Sequence, residues 1–281
     1  MLTKLEVLGL RSLAPTLSLD EDGNASQDPI QIMDIQGLEP VKAAITTAPF
    51  GAFDGEALSG MSVGKRNIVM MIGLNPDWEI QSPEELRQLL YNYFMPKLFV
   101  QLRFHSTNYP TVRIDGYVED VKPNIFSKSP QMQVSIICPN PDFIAVEETV
   151  FTGLTGDGTS YTAIDYIGSV ETGFVLEVDQ AVGSPGVDII QVNLTGEYPP
   201  QSFAARGNLT TDIYWEMSSI PGEKYVRSVS RSLGTITNYL NDIAVDATWP
   251  VLQPGDNKIA VITPVVFQNW ELRYYPRFGG L

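Results

Sequence analysis

The sequence predicts a mainly β protein in two domains, and three observations carry that prediction. Short runs of alternating apolar and polar residues recur between clusters of Gly, Pro, Asn and Asp. Only one stretch, from Ser82 to Pro96, carries a full set of helix signals. Two prolines within three residues, Pro139 and Pro141, interrupt the chain near its middle. With 281 residues the chain has room for two ordinary cores, and 12 Phe, 12 Tyr and 4 Trp to fill them.

In chain order, the predicted strands of the first part are Lys4–Leu10, Ile30–Ile35, Lys65–Leu74, Leu98–His105, Thr111–Val121 and Gln131–Cys138. Those of the second part are Ala145–Phe151, Tyr161–Tyr166, Gly173–Val178, Val187–Leu194, Thr210–Met217, Tyr225–Val229, Lys258–Thr263 and Trp270–Tyr275. Strands at this spacing fit sandwiches or barrels rather than βαβ units.

Ser82-Pro83-Glu84-Glu85 is a capping box, in which the Ser oxygen accepts from the Glu85 N–H and the Glu carboxylate reaches back. Leu86, Leu89, Leu90, Tyr93 and Phe94 then share one helical face, and Pro96 stops it. A second helix is expected at Ser232–Asp242, where Leu233, Ile236, Tyr239 and Leu240 share a face that Gly234 weakens. Leu17–Pro29 and the glycine-rich Pro49–Gly64 read as extended loops.

The domain boundary is placed at Pro139-Asn140-Pro141-Asp142, giving residues 1–143 and 144–281. The first part carries 11 basic and 17 acidic groups, the second 7 and 16, within a total net charge of −15. That sign repels phosphate backbones, so direct nucleic-acid recognition is not expected. No run reaches the ~20 apolar residues of a membrane span, and no signal peptide is read at Met1–Val7.

Candidate chemistry is sparse. His105 is the only histidine and Cys138 the only cysteine, so neither a disulfide within the chain nor an ordinary His/Cys zinc site is expected. His105 reads as a strand-end residue, and no Gly-x-Ser-x-Gly elbow accompanies it. Asp20-Glu21-Asp22-Gly23-Asn24 is the most calcium-like stretch, but Ala25 and Gln31 stand where an EF-hand loop needs Gly and Glu. Thr155-Gly156-Asp157-Gly158-Thr159 lacks the Lys-Ser/Thr of a phosphate loop and reads as a hairpin turn, as does Gly183-Ser184-Pro185-Gly186. The adjacent pairs Glu119/Asp120 and Glu147/Glu148 point to opposite faces of a strand, which is wrong for paired-acid glycoside chemistry. Tyr161, Tyr166, Phe174, Tyr214, Trp215 and Trp249 are mostly core in a sandwich, and a sugar-stacking platform is the functional alternative. No catalytic, cofactor-binding or metal-binding residue is assigned.

Four segments carry a family resemblance. Thr111–Val118, with Gly116-Tyr117-Val118, resembles a signature strand of the distal tail proteins of bacteriophages. Gln133–Pro141 resembles the strand and Cys-x-x-Pro segment closing their N-terminal domain. Leu252-Gln253-Pro254-Gly255-Asp256-Asn257 resembles their Leu-x-Pro-Gly-x-Asn turn, and Tyr274–Phe278 their final Tyr-x-Pro-Arg strand. The stretch up to Gly64 is looser than the family pattern, and Val170–Pro200 carries no family motif. The resemblance implies a β-rich belt domain with one helix at 1–143, forming a hexameric ring, and a galectin-like β-sandwich at 144–281 projecting outward. It implies a structural, non-enzymatic virion protein without a cofactor, made in the bacterial cytoplasm. The ring would sit at the tail tip or baseplate and join the tail tube protein to the baseplate hub. Receptor-binding proteins or tail fibres and host-surface glycans are the further partners implied. A carbohydrate-binding sandwich acting at the host surface is the alternative.

Overall fold

The computed structural model describes residues 2–9, 17–20, 29–51, 54–75, 82–124, 129–179, 187–264 and 268–281. The chain divides into two compact units, Met1–Val146 with Phe278–Leu281, and Glu147–Arg277. The sequence assigned all of 144–281 to one domain. The last four residues instead return to the first unit, where Phe278 joins its apolar core and the Leu281 N–H donates to the Leu38 carbonyl at 3.0 Å.

The first unit contains strands β1 (Leu2–Gly9), β2 (Leu17–Asp20), β3 (Ile30–Gln36), β4 (Ala43–Pro49), β5 (Glu56–Val63) and β6 (Arg66–Leu74), then helix α1 (Pro83–Phe94). Strands β7 (Phe99–Ser106), β8 (Val112–Asn124), β9 (Gln131–Cys138) and β10 (Phe143–Ala145) follow. Seven of them run in the order β2-β1-β7-β8-β9-β6-β3 in one antiparallel sheet, which β10 joins through β8. The two-residue alternation read from the sequence is the alternation of burial. Ile68, Met70 and Ile72 of β6, Val100, Leu102 and Phe104 of β7, and Met132, Val134, Ile136 and Cys138 of β9 all face one core. Gly116 stands in β8 where a Cβ would lie 2.6 Å from Ile136 Cγ2 and 2.9 Å from Cys138 Sγ. That close approach explains the glycine in the signature strand.

Helix α1 begins as its capping box dictates. The Glu85 N–H donates to Ser82 Oγ at 3.3 Å, and the Ser82 N–H donates to Glu85 Oε2 at 2.9 Å. Leu86, Leu90, Tyr93 and Phe94 are buried, whereas Leu89, placed on the same face by the sequence, is exposed at its edge.

The second unit has strands β11 (Thr149–Leu154), β12 (Thr162–Tyr166), β13 (Val175–Asp179), β14 (Val187–Gly196) and β15 (Gln201–Leu209). They are followed by β16 (Ile213–Ser218), β17 (Tyr225–Ser230), β18 (Ile236–Asn238), β19 (Gly255–Ile262) and β20 (Asn269–Tyr274). A short β21 (Arg277–Phe278) ends the regular structure. Two sheets, β11-β20-β13-β16-β17-β18 and β12-β19-β14-β15, send their inward residues into one core, which makes the unit a β-sandwich.

Three expectations are corrected here. Thr155–Thr159 is a crossover rather than a hairpin turn, because β11 pairs with β20 in one sheet and β12 with β19 in the other. Asp157 Oδ1 accepts from the Thr159 N–H and hydroxyl, and Gly158 sits at φ +91° to complete the bend. The α-helix expected at 232–242 does not form, and only a single 3-10 turn at Leu240–Asp242 is helical there. Asp212 accepts from the hydroxyls of Ser230 and Ser232 and the Ser232 N–H, Gly234 adopts φ +65°, and Ile236–Asn238 pairs with β17. Of Pro49–Gly64, Glu56–Val63 is the second strand of a hairpin with β4 rather than a loop, and residues 52–53 lie outside the described residues. Of Leu17–Pro29, residues 17–20 pair with β1, and 21–28 lie outside the described residues, as does Gly183–Gly186.

Candidate functional site

The β4–β5 hairpin forms a two-stranded sheet of its own. Its register pairs Ala43 with Val63, Ile45 with Met61, Thr47 with Leu58 and Pro49 with Glu56, with a bulge between Thr46 and Thr47. Side chains alternate across a strand, so Ile45, Leu58, Met61 and Val63 share one face. Ala44, Thr46, Ala48, Ala57, Gly60 and Ser62 make the other face small and flat. All seven residues of β4 are exposed, and so are all of β5 except Ala57. Ile45 is 63% and Met61 68% exposed, values that a buried partner surface would reverse. A lone two-stranded hairpin is marginal in water. This one also lacks the lysines that blunt free strand edges, and Pro49 is its single guard.

The same unit also carries a groove of about 270 Å³ lined mainly from β1 and β3. Leu2, Leu5, Ile32, Met33, Ile35, Leu38 and Phe104 line it, with Lys4 and Asp34 at its rim. A bulge between Ile32 and Asp34 leaves Met33 56% exposed.

The outer face of the second unit's larger sheet carries charge. Glu271, Glu177 and Glu216 stand directly opposite one another on β20, β13 and β16. Like charges in such a row repel. Arginines divide them: Arg231 reaches Glu177 and Asp179, Arg273 reaches Glu177 at 3.4 Å and Glu271 at 3.5 Å, and Arg227 reaches Glu216 at 2.7 Å. Burial, and then the neighbouring Asp179, push the Glu177 carboxyl above its usual range. Burial, and then a hydrogen bond to Glu216, push the Tyr225 hydroxyl up to about 12.

Residues weighed for chemistry fall in structural surroundings. His105 Nδ1 lies 3.2 Å from Thr111 Oγ1 and its Nε2 3.3 Å from Glu6 Oε2, on a strand surface outside the groove between β1 and β3. Cys138 is fully buried, and desolvation raises its thiol to about 12, which leaves it a small hydrophobe. Glu119 accepts from Ser135 Oγ, while Asp120 pairs with Lys122. Among the six aromatics, Tyr166, Phe174 and Trp215 are core, and Tyr161 is exposed. Among the described residues no group of three or more His, Cys, Asp or Glu gathers as a metal site. Of Asp20–Asn24, residues 21–24 lie outside them. No helix among them is long and apolar enough to cross a membrane.

Arg66 was not singled out by sequence and is the most constrained polar residue of the first unit. Its guanidinium donates to the carbonyls of Pro141 (2.6 Å), Gly37 (2.6 Å), Glu39 (2.7 Å) and Gly279 (2.6 Å), and lies 4.5 Å from the Phe143 ring centre. The signal was present: Arg66 shares the inward parity of Ile68, Met70 and Ile72.

No family model matches the chain, and no curated protein matches it. Among solved structures it is similar to the Dit protein of phage SPP1, described as a paradigm of the hub adsorption apparatus in phages that infect Gram-positive bacteria. The TM-score is 0.61 at 12% identity, over 90% of this chain and 95% of that one. Chains of the phage P2 baseplate in its activated conformation align at TM-scores of 0.44 with Ca and 0.41 with Sr. Their identities are 12% and 10%, over 97% and 96% of this chain and 98% and 97% of theirs. The first likeness shows a shared mainly β fold, and that of the same type of protein whose motifs Thr111–Val118 and Leu252–Asn257 resemble.

Proposed function

We propose that this chain is a structural subunit of a phage tail tip, where copies of its first unit join head to tail into a ring. The ring, six-membered by the resemblance, connects the tail tube to the baseplate hub. The sandwich, galectin-like by the same resemblance, projects outward as a mount for host-recognition proteins. The protein performs no catalysis in this role and resides in the virion tail after synthesis in the host cytoplasm.

The observation that carries the reading is the exposed apolar β4–β5 hairpin, set in a fold shared with the SPP1 Dit protein. A hairpin with an unburied apolar face and open edges needs a partner chain, and a heterologous contact that repeats and closes makes a ring. Light scattering combined with negative-stain imaging of the purified protein tests the proposal. Rings of about six subunits of 31.0 kDa are expected. A strict monomer at every concentration, unchanged by substitutions in the hairpin, overturns self-assembly.

A further inference from the structure

We propose that the groove between β1 and β3 receives the tip of a neighbouring copy's β4–β5 hairpin, with Phe50 as the inserted side chain. The inference rests on the ring reading and names the contact that would build the ring.

Both surfaces belong to the first unit, both are apolar, and they are different patches. Phe50 follows the last residue of β4, its N–H donates to the Gly55 carbonyl at 3.4 Å, and its ring is 51% exposed at the end of the hairpin. The groove holds about 270 Å³ and descends to the buried Leu5 and Phe104. An apolar cavity of ~150 Å³ already accommodates a benzene ring, so a phenyl side chain fits here with room for flanking backbone. Met33 stands at the mouth, and its unbranched, polarisable side chain suits closing over an aromatic ring.

The charges partly match. The hairpin end carries Asp54 and Glu56 and no cation between Ala43 and Val63. The groove rim offers Lys4, which shares its ammonium with Glu6 at 2.9 Å, and Asp34, whose carboxylate accepts from Gln36 Nε2. The acidic hairpin end is therefore expected to seat at the Lys4 side of the mouth, away from Asp34. A tip on one patch entering a groove on another is a heterologous contact, the kind that continues from copy to copy until it closes. A two-fold dimer would instead require a self-complementary patch.

Disulfide trapping tests the contact, and Cys138 is buried and stays out of it. The double variant Phe50→Cys, Met33→Cys is oxidised and run on a non-reducing gel beside the double variant Leu58→Cys, Met33→Cys. A ladder in steps of one subunit, present in the first variant and absent in the second, is the expected result. Rings seen by light scattering without that ladder overturn the groove contact and leave the ring reading standing. A ladder of equal intensity in both variants also overturns it, since collision alone then explains the bond. A cross-link confined to the monomer band places the tip in its own groove and overturns exchange between copies. Wild-type protein that stays monomeric at every concentration overturns both readings. As a second measurement, Phe50→Ala is expected to raise the concentration at which rings dissociate about tenfold or more.

Discussion

Four carbonyl oxygens from three separate segments surround the Arg66 guanidinium. Replacing Arg66 with Met keeps much of the packing on Phe143 but leaves buried acceptors without donors. A loss of about 3 kcal/mol or more is expected, measured by urea unfolding of the first unit. Arg66→Lys should recover only part of it, because one ammonium cannot span all four acceptors. At Cys138 the expectation is chemical. Burial pushes the thiol up to about 12 and shields it from solvent, so the native protein should resist a thiol reagent at pH 8 and label fully once unfolded. Both residues were readable by parity, Cys138 directly and Arg66 only in retrospect. A cation at the start of an apolar strand resembles a solvated end until its acceptors, distant in sequence, are known.

Single elements were legible where short-range chemistry decides them. The Ser82–Glu85 box is one such case, and Ser82→Ala should cost about 1 kcal/mol in thermal or urea unfolding. The Leu252–Asn257 turn is another. Asn257 is buried, its amide donates to the Gln253 and Gly255 carbonyls, its oxygen accepts from the Gln253 N–H, and Gly255 takes φ +89°. The hairpin was missed because its small residues and glycines have loop composition; only cross-strand pairing reveals it. The helix expected at 232–242 failed because Asp212, some twenty residues upstream, captures the serines at its start. The glutamate row also emerges from register alone. Because the Glu177 carboxyl is raised, its favourable contribution is full below about 4.5 and is lost as pH rises through the folded value. Glu177→Gln should therefore gain on the wild type as pH rises above about 4.5, read as a growing difference in Tm. A constant difference would show that the arginines neutralise the row completely.

For the whole molecule, the mainly β class was visible from strand spacing. The return of the last four residues was not, since nothing local in Phe278-Gly279-Gly280-Leu281 records where it packs. The surface proposed for assembly at Pro49–Gly64 showed in the sequence only as an extended loop of unusual composition. Paired substitutions Ile45→Ser and Met61→Ser, on the apolar face of the hairpin, should convert rings to monomers by light scattering. Unfolding of both units should stay within about 0.5 kcal/mol of the wild type, as for exposed sites.

The carbonyl of Gly279 completes the Arg66 cage, and Phe278 completes the same core. On the ribosome, the unit that emerges first is therefore finished after the sandwich has already been made. Until Gly279 leaves the exit tunnel, one donor group of a buried cation waits for its acceptor. Nascent chains stalled with Gly279 still in the tunnel should carry a first unit that is cut by protease more readily than in the released chain. Synthesis itself would then delay ring contacts between neighbouring chains on one polysome, a timing set by four residues.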